Sequence, residues 1–450
     1  MFESRPTTRP LSPTPALRDP GDPRTHRPRL PPVTRPLSFR GMDRAFALVC
    51  GCVFALTVAK GFRFPGLWAA THFTFNYSQG FVKRALVGEV ARRLFGDYVY
   101  RYDGFVAFSF LILIAVGASL FLGIRRVLRA RASDWTFRAV LLVFCSSPGT
   151  IFLVHIVGYF DFLGLVVVLG LLHWGLRSRS RFGIFYAITS AGLVLPFIHE
   201  GLAVMFGPTA LFIAFCHWLR SYRHRLPTPR EWVWCGLHAL LSILLVLGMV
   251  LLISQVSTIR STKGLQQFAT RHADFALRPD AFTVLTQSAY RNITFVVPGF
   301  WRWPGSRAKA MHGQLAFMPG FLFVLAYGVR ELRGARGTRS VKLMLSLAFL
   351  SAALAPQAMN IVGWDWQRWD SMALMTSLIC IVAYKLYFTD APLARPSLGF
   401  VTFGVILTLV GLSSTMPLYD GFEVQFFPYE RQFEFAKHVL EGGFSYRPTQ

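Results

Sequence analysis

Long apolar runs separated by short polar stretches set the pattern of this chain. A helix needs about 20 mostly apolar residues to cross the hydrocarbon core of a bilayer. Eleven segments approach that length: 45–62, 104–124, 139–158, 161–176, 184–198, 202–219, 233–253, 315–329, 343–361, 372–388 and 398–414. Pro196 and Gly201 interrupt the stretch 184–219, so it reads either as two short helices or as one kinked helix. The pattern predicts an all-α, polytopic transmembrane helical bundle of about 11 spans, with interfacial helices in its outer loops.

Composition narrows the class further. The 450 residues are 53% hydrophobic and 15% charged, against roughly 25% charge in an ordinary soluble domain. So little charge cannot cover a soluble surface of this size, which excludes a cytosolic globular enzyme and any disordered or collagenous class. Lys and Arg number 47 against 22 Asp and Glu, a net charge of +25. Alone, that excess suggests nucleic acid or anionic lipid as partner; with this hydropathy it suggests arginines placed in membrane loops. The six cysteines all fall in apolar runs without metal-ligand spacing, so they read as buried thiols.

Residues 1–41 are rich in Pro, Arg, Thr and Ser and read as a disordered basic tail. The first apolar run begins near Ala45, too late for a cleavable signal peptide. With the tail inside, the dense clusters Arg125–Arg138, Arg177–Arg181, Arg220–Arg230 and Arg330–Lys342 all fall on the cytoplasmic face, as the positive-inside rule requires. The transmembrane domain is then 42–414, its long outer loops are 63–103 and 254–314, and 415–450 forms an extracytoplasmic tail. The predominance of Arg over Lys points to a GC-rich bacterial genome and an inner (plasma) membrane.

Ionisable residues at membrane depth are costly and invite a functional reading. Four groups qualify, all on the outer face. In Gly80–Glu89, Val82, Leu86, Val90 and Leu94 recur every four residues while Lys83 and Arg84 fall off that row; this predicts an amphipathic interfacial helix whose cations could hold a lipid phosphate. Asp161 opens an apolar run after Tyr159 and Phe160, as a helix N-cap or as a carboxylate for a sugar hydroxyl, a metal ion or a proton. His199 and Glu200 sit between two apolar runs, where burial would suit acid–base work. Asp365, Trp366, Arg368, Trp369 and Asp370 precede a late span; tryptophans there form interfacial belts or stack on sugar rings, and arginine binds phosphate bidentately.

Other signals are weak. Asn76–Ser78 and Asn292–Thr294 are sequons, and the 254–314 loop carries scattered basic residues. No phosphate-binding glycine loop, hydrolase elbow, HExxH zinc motif or internal repeat is present, and no aromatic-basic module supports nucleic-acid binding.

The long first outer loop, the Tyr159-Phe160-Asp161 opening and Gln367-Arg368-Trp369 at a late span resemble the polytopic GT-C glycosyltransferases. That resemblance implies an enzyme transferring a sugar from a polyprenyl-phosphate carrier to a glycan or lipid acceptor at the extracytoplasmic face, in cell-envelope polysaccharide biosynthesis. It implies Glu200, Asp161 and His199 as catalytic residues, with Lys83, Arg84, Asp365, Arg368, Trp366 and Trp369 binding the substrate. The partners are then a polyprenyl-phosphate-linked sugar, its acceptor and membrane lipids, without nucleic acid. No cofactor is fixed, and the metal requirement is unknown, a divalent ion being compatible with the chemistry. Members of the class carry an acid soon after the first span; here 63–88 has none, and Glu89 is the first acid available. Two other readings fit the same layout: an O-antigen-type polysaccharide polymerase, and a non-enzymatic flippase or transporter of lipid-linked sugar.

Overall fold

The computed structural model describes residues 38–222, 225–256, 261–302, 304–335, 337–363, 365–389, 397–414, 418–420 and 423–425. The basic tail up to residue 37, Trp303, Trp364 and most of 415–450 lie outside the described residues. The chain divides into two compact units, 1–46 and 47–450; of the first, only the opening turns of helix α1 (Ser38–Gly61) are described. The rest is helical apart from a small antiparallel ribbon, in which Leu418–Asp420 pairs with Glu423–Gln425.

Each of the eleven apolar segments coincides with helix. After α1 come α2 (Leu67–Phe73), α3 (Leu86–Phe95) and the long α4 (Tyr102–Ala130). The segment 139–158 is a broken rod, α5 (Trp135–Ser146) and α6 (Pro148–His155), bent by 50°. Pro148 sits in the first turn of α6, where a missing N–H is tolerated. Next are α7 (Asp161–Arg177), α8 (Gly183–Ile198), α9 (Glu200–Arg220) and α10 (Pro229–Val256). The stretch 184–219 is therefore two helices packed on one another, parted at His199, whose extended backbone (φ −165°) ends one and starts the other. The connection after α10 holds α11 (Lys263–His272), α12 (Pro279–Thr283), α13 (Ala289–Arg291) and α14 (Val297–Arg302). The chain continues through α15 (Pro304–Arg333), α16 (Arg339–Leu354), a 3₁₀ stretch Ala355–Ile361, α17 (Trp366–Tyr387) and α18 (Leu398–Ser413).

Among the described residues, seven helices are long and apolar enough to cross a membrane, or eight if the bent pair α5–α6 is one span. The protein is a multi-pass helical membrane protein. Its helices differ sharply in surroundings. The spanning window of α17 is 94% buried within the protein, whereas those of α1 and α10 are 11% buried. Leu237, Leu240, Leu244 and Leu251 of α10 stand exposed, as a helix facing lipid requires. α17 is the central rod, in contact with α4, α6, α7, α9, α15 and α16. Close approach depends on small residues: a Cβ on Gly164 of α7 would lie 2.4 Å from the ring of Phe206 in α9.

Charge is buried at the C-terminal end of α17. Lys385 Nζ donates to Asp134 Oδ2 (2.6 Å) and Glu331 Oε2 (2.7 Å), and all three side chains are buried. Asp134 also caps α5, its Oδ1 accepting the Phe137 N–H at 3.0 Å. Arg131 completes the cluster, 3.8 Å from Glu331 and donating to the Phe388 carbonyl. One cluster therefore ties α5, α15 and α17 together. Removing one partner from a buried ion pair leaves the other uncompensated, at a cost of about 3–5 kcal/mol. Lys385→Met is expected to lower the apparent melting temperature in detergent markedly. The exposed Arg126 is the control: Arg126→Met should leave the melting temperature almost unchanged.

Candidate functional site

Three of the packed helices carry a carboxylate at their N-terminal ends. Asp161 is the first residue of α7, Glu200 the first of α9, and Asp365 the residue that precedes α17. A carboxylate is favoured at each position by the positive end of the helix dipole. Arg368, in the first turn of α17, has the unfavourable sign there and so needs counter-ions. It finds two: Nε and Nη2 donate to Asp161 Oδ2 (2.5 Å) and Oδ1 (2.9 Å), and Nη1 donates to Asp365 Oδ2 (3.1 Å). Its guanidinium also lies 4.7 Å from the ring centroid of Tyr159. Asp161 does not cap its own helix through its side chain; it reaches across to α17.

A second bidentate pair stands at the start of α9. Arg84 Nε and Nη2 donate to Glu200 Oε2 (3.0 Å) and Oε1 (2.8 Å). Lys83 Nζ is 3.7 Å from Glu200 and donates to the Gln287 carbonyl at 2.7 Å. Burial pulls the Lys83 ammonium below its ordinary range, with Glu200 opposing that shift. The expected continuous helix over Gly80–Glu89 is not formed. α3 starts only at Leu86, Val82 is buried, and Arg84 holds the left-handed backbone at φ 62°. Arg84 is the one non-glycine residue with positive φ among those described. Such a conformation costs a side-chain-bearing residue about 1–2 kcal/mol, and here it accompanies the bidentate contact of the guanidinium with Glu200. From Leu86 onward α3 is amphipathic, with Val90, Leu94 and Phe95 exposed. Gly88 lets it lie on the segment before it, since a Cβ there would be 2.2 Å from the Phe75 carbonyl.

Two imidazoles join the pairs. His199 Nδ1 accepts the Gly201 N–H at 3.0 Å and so caps α9. His72, in α2, places Nδ1 2.9 Å from the Trp68 carbonyl. Burial above all, then the Arg84 charge, holds both rings well below the usual histidine range; Arg368 acts in the same direction and Glu200 against it. Arg84, Glu200 and Arg368 thus act electrostatically on both histidines, which links the two clusters. Aromatic rings bridge them: Trp68 packs on His72 (centroids 3.8 Å apart) and stacks on Tyr159 (5.5 Å), the ring beneath Arg368.

The other candidates sit as follows. Trp366 and Trp369 are buried rather than displayed, with the Trp369 ring against Gly363. Asp370 is buried and accepts from Gln314 Nε2 (2.6 Å) and Gln357 Nε2 (3.2 Å). Glu89 lies apart in an ion cluster of its own, binding Arg92, Arg93 and the Tyr77 N–H; the Arg92 hydrogen bond foremost lowers it to about 2. Asn76 is buried and donates to the Thr74 carbonyl and the Tyr100 hydroxyl, so its sequon is inaccessible in the fold. Among the described residues, no group of three or more His, Cys, Asp and Glu side chains is placed to hold a metal ion. His72 is the member that the sequence reading missed: a lone histidine in Leu67–Phe73, seven residues too few to show a periodic face.

Compared with protein-family models, with curated proteins and with solved structures, the chain matches none.

The neutral imidazoles set a pH dependence. Below the ordinary value of 6.5 the unfolded chain takes up protons that folded His72 and His199 refuse, so stability falls as pH falls and is unaffected above that value. Thermal unfolding in detergent between about pH 7 and about pH 5 should show this loss, and His72→Gln should reduce it, His199 keeping its share.

Proposed function

We propose that the protein is an integral membrane glycosyltransferase that takes sugar from a polyprenyl-phosphate carrier at the extracytoplasmic face. The observation that carries this reading is the gathering of Lys83, Arg84 and Arg368 at the N-termini of α7, α9 and α17. Helix N-termini and guanidinium groups both favour phosphate. Gathering three cations and three carboxylates inside an apolar bundle is costly, and ionisable groups at membrane depth mark substrate pathways.

In this reading Glu200, Asp161 and Asp365 hold the cations in place, and the neutral His199 completes the catalytic set. An incoming lipid phosphate takes up part of the guanidinium hydrogen bonding, and the cations stabilise it as it leaves the sugar. Asp365, whose side chain is 44% exposed, is the member best placed to meet a sugar hydroxyl. The buried Trp366 and Trp369 do not form an open stacking platform. α3 lies in the outer interface with Val90, Leu94 and Phe95 in the lipid, which brings the 63–103 loop to the level of a lipid headgroup. The eleven helical segments all cross, the basic tail is cytoplasmic, and the membrane is the bacterial inner membrane.

The test uses purified protein in proteoliposomes, a panel of labelled polyprenyl-phosphate hexoses and a cell-envelope fraction as acceptor. Sugar transfer is expected. Glu200→Gln, which unlatches Arg84, should cut turnover by about 10²–10³-fold, the range for losing one transition-state donor. Donor crossing the bilayer with no sugar transferred would replace this reading with transport.

A further inference from the structure

We propose that His72 is the general base of the transfer, its Nε2 taking the proton of the acceptor hydroxyl; this rests on the glycosyltransferase reading. The assignment follows from where the hydrogens and lone pairs must be. A carbonyl oxygen only accepts, so the contact with Trp68 puts the proton on His72 Nδ1 and leaves the lone pair on Nε2. Nε2 is buried and has no hydrogen-bond partner among the described residues. Buried polar atoms are rarely left so, and each such atom asks for an explanation. Because Nδ1 is tied to its own helix one turn back, Nε2 is the ring edge turned away from that helix.

The other candidates have no such lone pair to offer. Both oxygens of Asp161 are taken by Arg368 and both oxygens of Glu200 by Arg84. Protonating either would strand a buried guanidinium. His199 is the reverse of His72: its Nδ1 accepts the Gly201 N–H, so Nε2 carries the hydrogen and is a donor. Asp365 is the remaining rival, with Oδ2 bound to Arg368 and the side chain part exposed.

The charged and titratable groups acting on His72 are Arg84, Arg368, Glu200 and His199, and Trp68 and Phe75 pack on its ring. Burial and the two guanidinium charges keep the imidazole unprotonated, which is the form a base needs. In the step, the acceptor O–H bond breaks and its proton moves to Nε2. The oxygen's electron pair forms the new bond to the anomeric carbon. The bond from that carbon to the phosphate oxygen breaks with its pair, and polyprenyl phosphate departs beside Lys83, Arg84 and Arg368. His72 then returns its proton to water.

The experiment compares wild type, His72→Ala, His72→Gln and Asp365→Asn in the same proteoliposomes, with folding followed by thermal unfolding and donor binding measured separately. His72→Ala and His72→Gln should lose about 10²–10⁴-fold in kcat, the usual contribution of a general base, with donor binding unchanged. Added imidazole should restore turnover to His72→Ala, where it fits the vacated space, and not to His72→Gln. Undiminished kcat in either folded variant, weakened donor binding as the main defect, or a loss that imidazole does not relieve in His72→Ala would overturn the assignment. So would a base-like loss in Asp365→Asn alone. If wild type itself transfers no sugar across the panel, it is the glycosyltransferase reading that fails.

Discussion

A guanidinium inside an apolar helical bundle has no water to hold its charge, so every arrangement around it is constrained by where its counter-ions can stand. The pairing of Arg368 with Asp161 meets that constraint here. Asp161 can stand at the head of α7 because the helix dipole favours it; Arg368 can stand at the head of α17 only because Asp161 and Asp365 are there. The pair fixes the N-terminal ends of α7 and α17 against each other. Tyr159, Trp68 and His72 then pack in succession from the same guanidinium. The second pair, Arg84 with Glu200, repeats the logic at the head of α9, but its cation comes from a loop and is held by a strained backbone. One pair is thus built into the rods and the other is carried by a connecting segment.

Much of the architecture was legible in the sequence because lipid imposes a simple rule: apolar length makes helix. An interruption of 184–219 was legible from Pro196 and Gly201, but whether it made two helices or one kinked helix was not; the structure parts them at His199. Asp161, Glu200 and Arg368 stood out as ionisable residues at membrane depth. Their partnerships did not. Arg84 and Glu200 are 116 positions apart, Arg368 and Asp161 are 207, and nothing local encodes such contacts. The four-residue apolar row beginning at Val82 read as one amphipathic helix because periodicity cannot register a left-handed residue at Arg84. The same limit hid the cluster at the C-terminal end of α17. Arg131 read as one more loop arginine and Lys385 as an inside-loop cation, while Asp134 and Glu331 were passed over. Only the fold brings them together around one lysine.

The histidines illustrate a finer limit. A sequence gives the residue type, but a neutral imidazole is a donor at one nitrogen and an acceptor at the other, and only its hydrogen-bond partner decides which. His199 and His72 differ in this way: one accepts from a helix N–H, the other faces a carbonyl. Equivalent letters therefore carry opposite chemistry within one site.

Ionic contacts hold α17 at both extremities, Arg368 near its first residue and Lys385 near its last. Their separation of 17 residues corresponds to about 26 Å of helix, close to the roughly 30 Å hydrocarbon thickness. Sliding that rod like a piston, or rolling it about its axis, would break charge contacts at two depths simultaneously. α17 is thus an immobile spindle. The segment between α1 and α4 is tied differently: there a single arginine in a left-handed conformation holds its carboxylate, and that contact can break without touching either end of the spindle.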